Sequence, residues 1–242
     1  MSEQGPIKSD QPSTDIQLVP SLLASITDSK LADLGIDIAE IALDSVLAEG
    51  LLRGIPVVST VVALGKTGLM LRDRLFLKKI LAFLDELDKI PEPERTKVRD
   101  NIGADPDYAK KVGDTLITLL DKYDEPDKAR LLARLFSSYI SGQIDRQEFL
   151  RHSNGLTIAY LADVQLLLAF YSGKAKTSDV PWEALYPSGF SDIRLNLHEP
   201  PEQGGALSLG YGRMVLFGPS DRAKRFAMAI LGPVFVSPAT RR

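Results

Sequence analysis

Gly54-Ile-Pro-Val-Val-Ser-Thr-Val-Val-Ala-Leu-Gly65 is the stretch on which the architecture turns. Its twelve residues, bounded by Arg53 and Lys66, carry no charge. Five more uncharged residues follow Lys66 before Arg72, Asp73 and Arg74. Pro56 suits the first turn of a helix, where its missing N–H is no loss, and resists an interior position. The run predicts a helix that starts at Pro56 and continues through Phe76, Leu77, Ile80, Leu81 and Leu84 to about Leu87. Its small and β-branched residues leave two readings open. It is the buried centre of a helical core, or a surface that meets lipid or a partner protein.

The segment before it predicts a second helix. From Leu31 to Glu49, Leu34, Ile38 and Ile41 share one face, and Asp33, Asp37, Glu40 and Asp44 form an acidic stripe opposite. Lys30 to Glu49 carries one base and five acids, whereas Arg53 to Lys79 carries six bases and one acid. Two antiparallel helices of opposite sign attract, although each exposed pair contributes only ~0–1 kcal/mol. The expectation is an apolar helical hairpin over residues 16–90, with an apolar segment Ile16–Thr27 interrupted by Pro20 and a disordered, polar tail over 1–15.

Ile90-Pro-Glu-Pro-Glu94 reads as a turn between units. A helical core over 91–172 follows: a polar helix from Glu94 to Ile102, and one from Pro106 to Lys122 burying Val112, Leu116, Leu119 and Leu120. Another opens at Pro126, carries Leu131, Leu135 and Phe136, and closes at Gly142. Asp145-Arg-Gln-Glu148 is a capping-box sequence. Asn154-Gly155 predicts a break, with Leu156 to Tyr171 as a central core helix. Residues 173–242 read as a small α+β, winged-helix-like module. Ser191 to His198 alternates as a half-buried strand, and Ala206–Leu209 and Arg213–Phe217 suggest a strand pair. Ser220-Asp-Arg opens a last helix to Leu231, with Trp182, Tyr186 and Phe190 as packing anchors. The fold class is mainly α: hairpin, helical core and small C-terminal module.

Composition narrows the function. The net charge of −3 supplies no global field for nucleic acid or anionic lipid. No cysteine is present, which removes disulfides and thiol chemistry. His152 and His198 lack ligand-type neighbours in sequence, so neither a metal nor a cofactor is expected. The N-terminus lacks the basic and apolar regions of a secretory signal, and no apolar run reaches the ~18–20 residues of a membrane span. The expected location is the cytoplasm, peripheral at the inner membrane if the hairpin binds lipid.

Three motif-like sequences have plainer readings. Gly65-Lys66-Thr67 matches the end of a phosphate-binding loop, but Thr60 stands where that motif needs glycine, which leaves one lysine on a helix. Ser137–Glu148 mimics a calcium loop without a carboxylate in its first half, and the capping box explains the same residues. No Gly-x-Ser-x-Gly elbow occurs. Non-enzymatic binding remains. The candidate membrane- or partner-binding residues are Val57, Val61, Leu64, Lys66, Leu69, Arg72, Arg74, Lys78 and Lys79. The alternative is nucleic-acid binding through Arg222, Lys224 and Arg225, although the acidity of the chain opposes it. A protein partner or a homo-oligomer is the expected assembly.

The order of parts resembles bacterial abortive-infection proteins of the Abi-alpha type. The resemblance runs from the Gly/Ala-rich apolar helix through Ile90-Pro-Glu-Pro-Glu-Arg95 and Leu131-Leu-Ala-Arg-Leu-Phe-Ser-Ser-Tyr139. It continues through Leu161-Ala-Asp-Val-Gln-Leu-Leu-Leu168 to Gly218-Pro-Ser-Asp-Arg-Ala-Lys-Arg-Phe226, and departs in the closing strand and the long loop after Leu197. It implies a bacterial host and a phage-defence setting, and brings no catalytic residues.

Overall fold

The computed structural model describes residues 14–27, 50–64, 70–196 and 214–236. They are mainly helical, with one small antiparallel sheet. The chain forms two compact units, Met1–Asp121 and Lys122–Arg242.

In the first unit, α1 (Thr14–Thr27) leads to a 3-10 turn (Leu51–Gly54) and α2 (Pro56–Leu64). α3 (Leu71–Asp88), α4 (Glu92–Ala104) and α5 (Pro106–Lys122) follow. Pro20 lies inside α1 rather than interrupting it, so one turn of that helix forgoes a backbone donor. α1 packs on α2 and also meets α3 and α4. Leu22, Leu52, Val57, Leu77 and Ile80 make a dry core. The start of α2 is tied to α1 by a side chain distant in sequence: the Val57 amide donates to Ser25 Oγ (3.0 Å), and Ser25 donates to the Ser21 carbonyl (2.8 Å). That bond satisfies a buried donor which the first turn of any helix leaves open.

The long helix expected from Pro56 to Leu87 is two helices. Met70 is extended (φ −69°, ψ 162°), and Asp73 reaches back to accept its amide (3.0 Å), so α3 starts afresh at Leu71. Gly65 and Gly68, poor helix formers, lie between the two. The acidic helix expected at 31–49, with Asp33, Asp37, Glu40 and Asp44, lies outside the described residues, as do Lys66 and Leu69.

The second unit contains α6 (Pro126–Ile140), α7 (Arg146–Ile158), α8 (Leu161–Tyr171) and the short α9 (Trp182–Leu185). β1 (Ser191–Asn196), β2 (Met214–Pro219) and α10 (Asp221–Leu231) complete it. α6 packs on α7 and α10, and α10 also meets α8. Ser138 Oγ donates to the Ala229 carbonyl (2.8 Å) across the buried α6–α10 face. The indole N–H of Trp182 donates to the Thr177 carbonyl (3.0 Å), and its ring stands edge-on to Phe170 at 5.5 Å. Trp182 and Phe190 are buried anchors as expected, whereas Tyr186 is partly exposed.

Two sequence expectations change here. The break at Asn154-Gly155 is absent: α7 runs to Ile158, and the chain extends at Ala159 and Tyr160 before α8. Gly155 serves close packing instead, since a Cβ there would stand 2.8 Å from the Ser188 carbonyl oxygen and 2.9 Å from the Phe190 ring. The strand that β2 joins is β1, with Ile193 opposite Phe217 and Ser191 opposite Pro219. The expected strand Ala206–Leu209 lies outside the described residues.

Candidate functional site

Local sequence rules assemble one polar cleft in the second unit. Asp145 caps α7: the Glu148 amide donates to Asp145 Oδ1 (2.7 Å), and the Asp145 amide donates to Glu148 Oε2 (3.4 Å). The cap sets the helical phase, so that Glu148, Arg151 and His152, three and four residues apart, share a face. Ser220 caps α10 by accepting the Ala223 amide (3.0 Å) and also donates to the Gly189 carbonyl (2.9 Å). That start places Asp221, Arg222 and Arg225 beside the face of α7. Tyr186, Gly189, Ser191 and Asp192, from the turn after α9 and the start of β1, close a cleft of about 380 Å³.

The electrostatics of the cleft are layered. Arg225 Nε pairs with Glu148 Oε1 at 3.1 Å. Arg222 is half-buried, and its guanidinium lies over Gly189, where a Cβ would fall 2.1 Å from Nη1. Gly189 also holds φ +76°, so the backbone calls for glycine there. Among the described residues, Arg222 makes one long hydrogen bond, 3.5 Å to the Ser188 carbonyl, and no ion pair. Asp192 and Asp221 sit exposed at the rim.

His152 is the unusual group. Its side chain is buried, with 1% of the residue exposed, yet neither ring nitrogen has a hydrogen-bond partner among the described residues. Its ring lies 5.8 Å from that of Phe226. Burial, and then the nearby Arg222 and Arg225 guanidiniums, push its pKa down to about 4, so the imidazole is neutral near pH 7. Among the described residues, no group of three or more histidines and carboxylates is placed to hold a metal ion.

The other candidates lie in the first unit. Val57 and Val61 are core residues, and Lys79 is buried with its ammonium donating to the Asp121 carbonyl (3.0 Å). Arg72 pairs with Asp121 at 3.2 Å, and Arg74 is half-buried. Arg72 and Lys79 are therefore both held at Asp121 of α5. Lys78 is exposed, and Leu64 is at the surface. Met70 (71%) and Leu71 (73%), at the end of the uncharged run, are exposed, as is Leu75 (48%), which the sequence did not single out. Lys224 lies exposed on α10 outside the cleft, whereas Arg222 and Arg225 line it.

No helix among the described residues is long and apolar enough to cross a membrane. Comparison with protein-family models, curated proteins and solved structures yields no match for this chain.

Proposed function

We propose that this chain is a non-catalytic interaction protein that docks on an anionic membrane surface through the start of α3. One observation carries the reading: Met70, Leu71 and Leu75 stand exposed beside Arg72 and Lys78. Leu71, Leu75 and Lys78 are spaced four and three residues apart and so share one helical face. Apolar side chains with flanking bases are what an interfacial helix uses, the former entering the acyl boundary and the latter meeting headgroups. A bacterial host and a defence setting accord with the layout resemblance to Abi-alpha proteins.

The test is co-sedimentation of the full chain with phosphatidylglycerol and phosphatidylcholine vesicles. Binding to the anionic vesicles, reduced at least fivefold by Leu71→Ser with Leu75→Ser, is expected. Pelleting that is absent, or unchanged in the double variant, removes the lipid reading and leaves a protein partner for this face. The nucleic-acid alternative, through a winged-helix-like use of Arg222, Lys224 and Arg225, draws less support. Glu148 neutralises Arg225, and two carboxylates share the rim of the cleft that Arg222 lines.

A further inference from the structure

The polar cleft between α7 and α10 lies outside that docking face and asks for a ligand of its own. A buried donor or acceptor left open costs about 1–3 kcal/mol, so folded chains rarely keep one without a use. The neutral imidazole of His152 offers one N–H donor and one acceptor nitrogen, both open among the described residues. Arg222 offers a guanidinium fork occupied by a single long contact. Three guanidiniums line the cleft. One of them, Arg225, is matched by Glu148, while Arg151 and Arg222 have no ion-pair partner among the described residues. Two unmatched guanidiniums beside an open N–H suit a dianion, the state that a phosphate monoester approaches near pH 7. The first turn of α10, at the cleft wall, adds its positive dipole end.

The cavity is larger than an inorganic anion needs. About 380 Å³ falls within the ~300–1,000 Å³ of small-molecule sites. The rim carries acceptors rather than further bases: Asp192 and Asp221 are exposed there, with the partly exposed Tyr186 ring alongside. Hydroxyl groups on the body of a ligand would donate to those carboxylates.

We propose that this cleft binds a small phosphate monoester bearing hydroxyl groups, with its phosphoryl oxygens on the Arg222 guanidinium and the His152 N–H and its hydroxyls at Asp192 and Asp221. No bond is made or broken, and the site is one of recognition.

Isothermal titration of the full-length chain at neutral pH tests it. The probes are pentose, hexose and nucleoside monophosphates, inorganic phosphate and the free sugars. At least one monoester should bind one-to-one, more tightly than inorganic phosphate, and its free sugar should not bind. Arg222→Gln should weaken binding at least about tenfold, the loss expected of one charge-assisted hydrogen bond. His152→Leu should weaken it similarly while thermal stability is kept or raised, because the change removes two buried polar atoms that have no hydrogen-bond partner among the described residues. That pairing separates a ligand-facing histidine from a structural one. The proposal is overturned if no monoester binds at millimolar concentration, or if Arg222→Gln binds as tightly as the parent. It is also overturned if inorganic phosphate or the free sugar binds as well as the ester.

Discussion

His152 carries a consequence for stability as well as for recognition. Its folded pKa, about 4, lies below the ordinary 6.5. Between those values the unfolded chain holds more protons on this group than the folded chain does. Protonation of this group therefore costs no stability above about pH 6.5, and the cost grows as pH falls toward 4. The full difference is about 3 kcal/mol, taking ~1.4 kcal/mol per unit. Urea unfolding at a series of pH values should show the parent losing up to that much more stability than His152→Leu between neutrality and pH 4. Matching slopes in the two proteins would mean that the imidazole titrates in both states alike. Lys128 shows how the same unit treats a buried charge when a partner is at hand. Its ammonium, buried as deeply, is held by Asp124 at 2.8 Å. Burial tends to raise the Asp124 pKa, but the Lys128 hydrogen bond and charge outweigh it and the net shift is downward.

At the scale of elements, legibility depended on whether a signal was local. α5 runs from Pro106 to Lys122 as its Asp-Pro start and amphipathic spacing indicate. The Asp145–Glu148 box and the Ser220 start of α10 are equally local and equally readable. The division between α7 and α8 was not. Glycine in a sequence reads as a break, but Gly155 is there because the Ser188 carbonyl and the Phe190 ring approach it. The true break at Ala159 and Tyr160 carries neither Gly nor Pro. Gly155→Ala should therefore destabilise the chain by about 1–3 kcal/mol, overpacking against backbone outweighing the ~1 kcal/mol gained from helix propensity. A shift of the chemical-denaturation midpoint upward in this variant would contradict the close approach. The cleft was partly visible in the same way. Arg222 and Arg225 stood out as bases on one helix, and Glu148 as a cap. Their meeting with His152 depends on two helices far apart in sequence, and the significance of His152 rests on burial, which no neighbouring residue announces.

For the whole molecule, composition excluded thiol chemistry, while sequence pattern gave a mainly helical architecture with a small sheet. It could not supply the split into Met1–Asp121 and Lys122–Arg242, which is a property of long-range packing. The chain's one tryptophan, Trp182, falls in the second unit, buried against Phe170. Intrinsic indole emission is thus an observer stationed in Lys122–Arg242 alone. The Gly155→Ala deficit belongs to that unit and should appear in full as an earlier fluorescence transition. The backbone circular-dichroism signal, by contrast, averages the helices of both units. A melt followed by indole emission would describe half of this chain, whereas one followed by circular dichroism blends that half with the other.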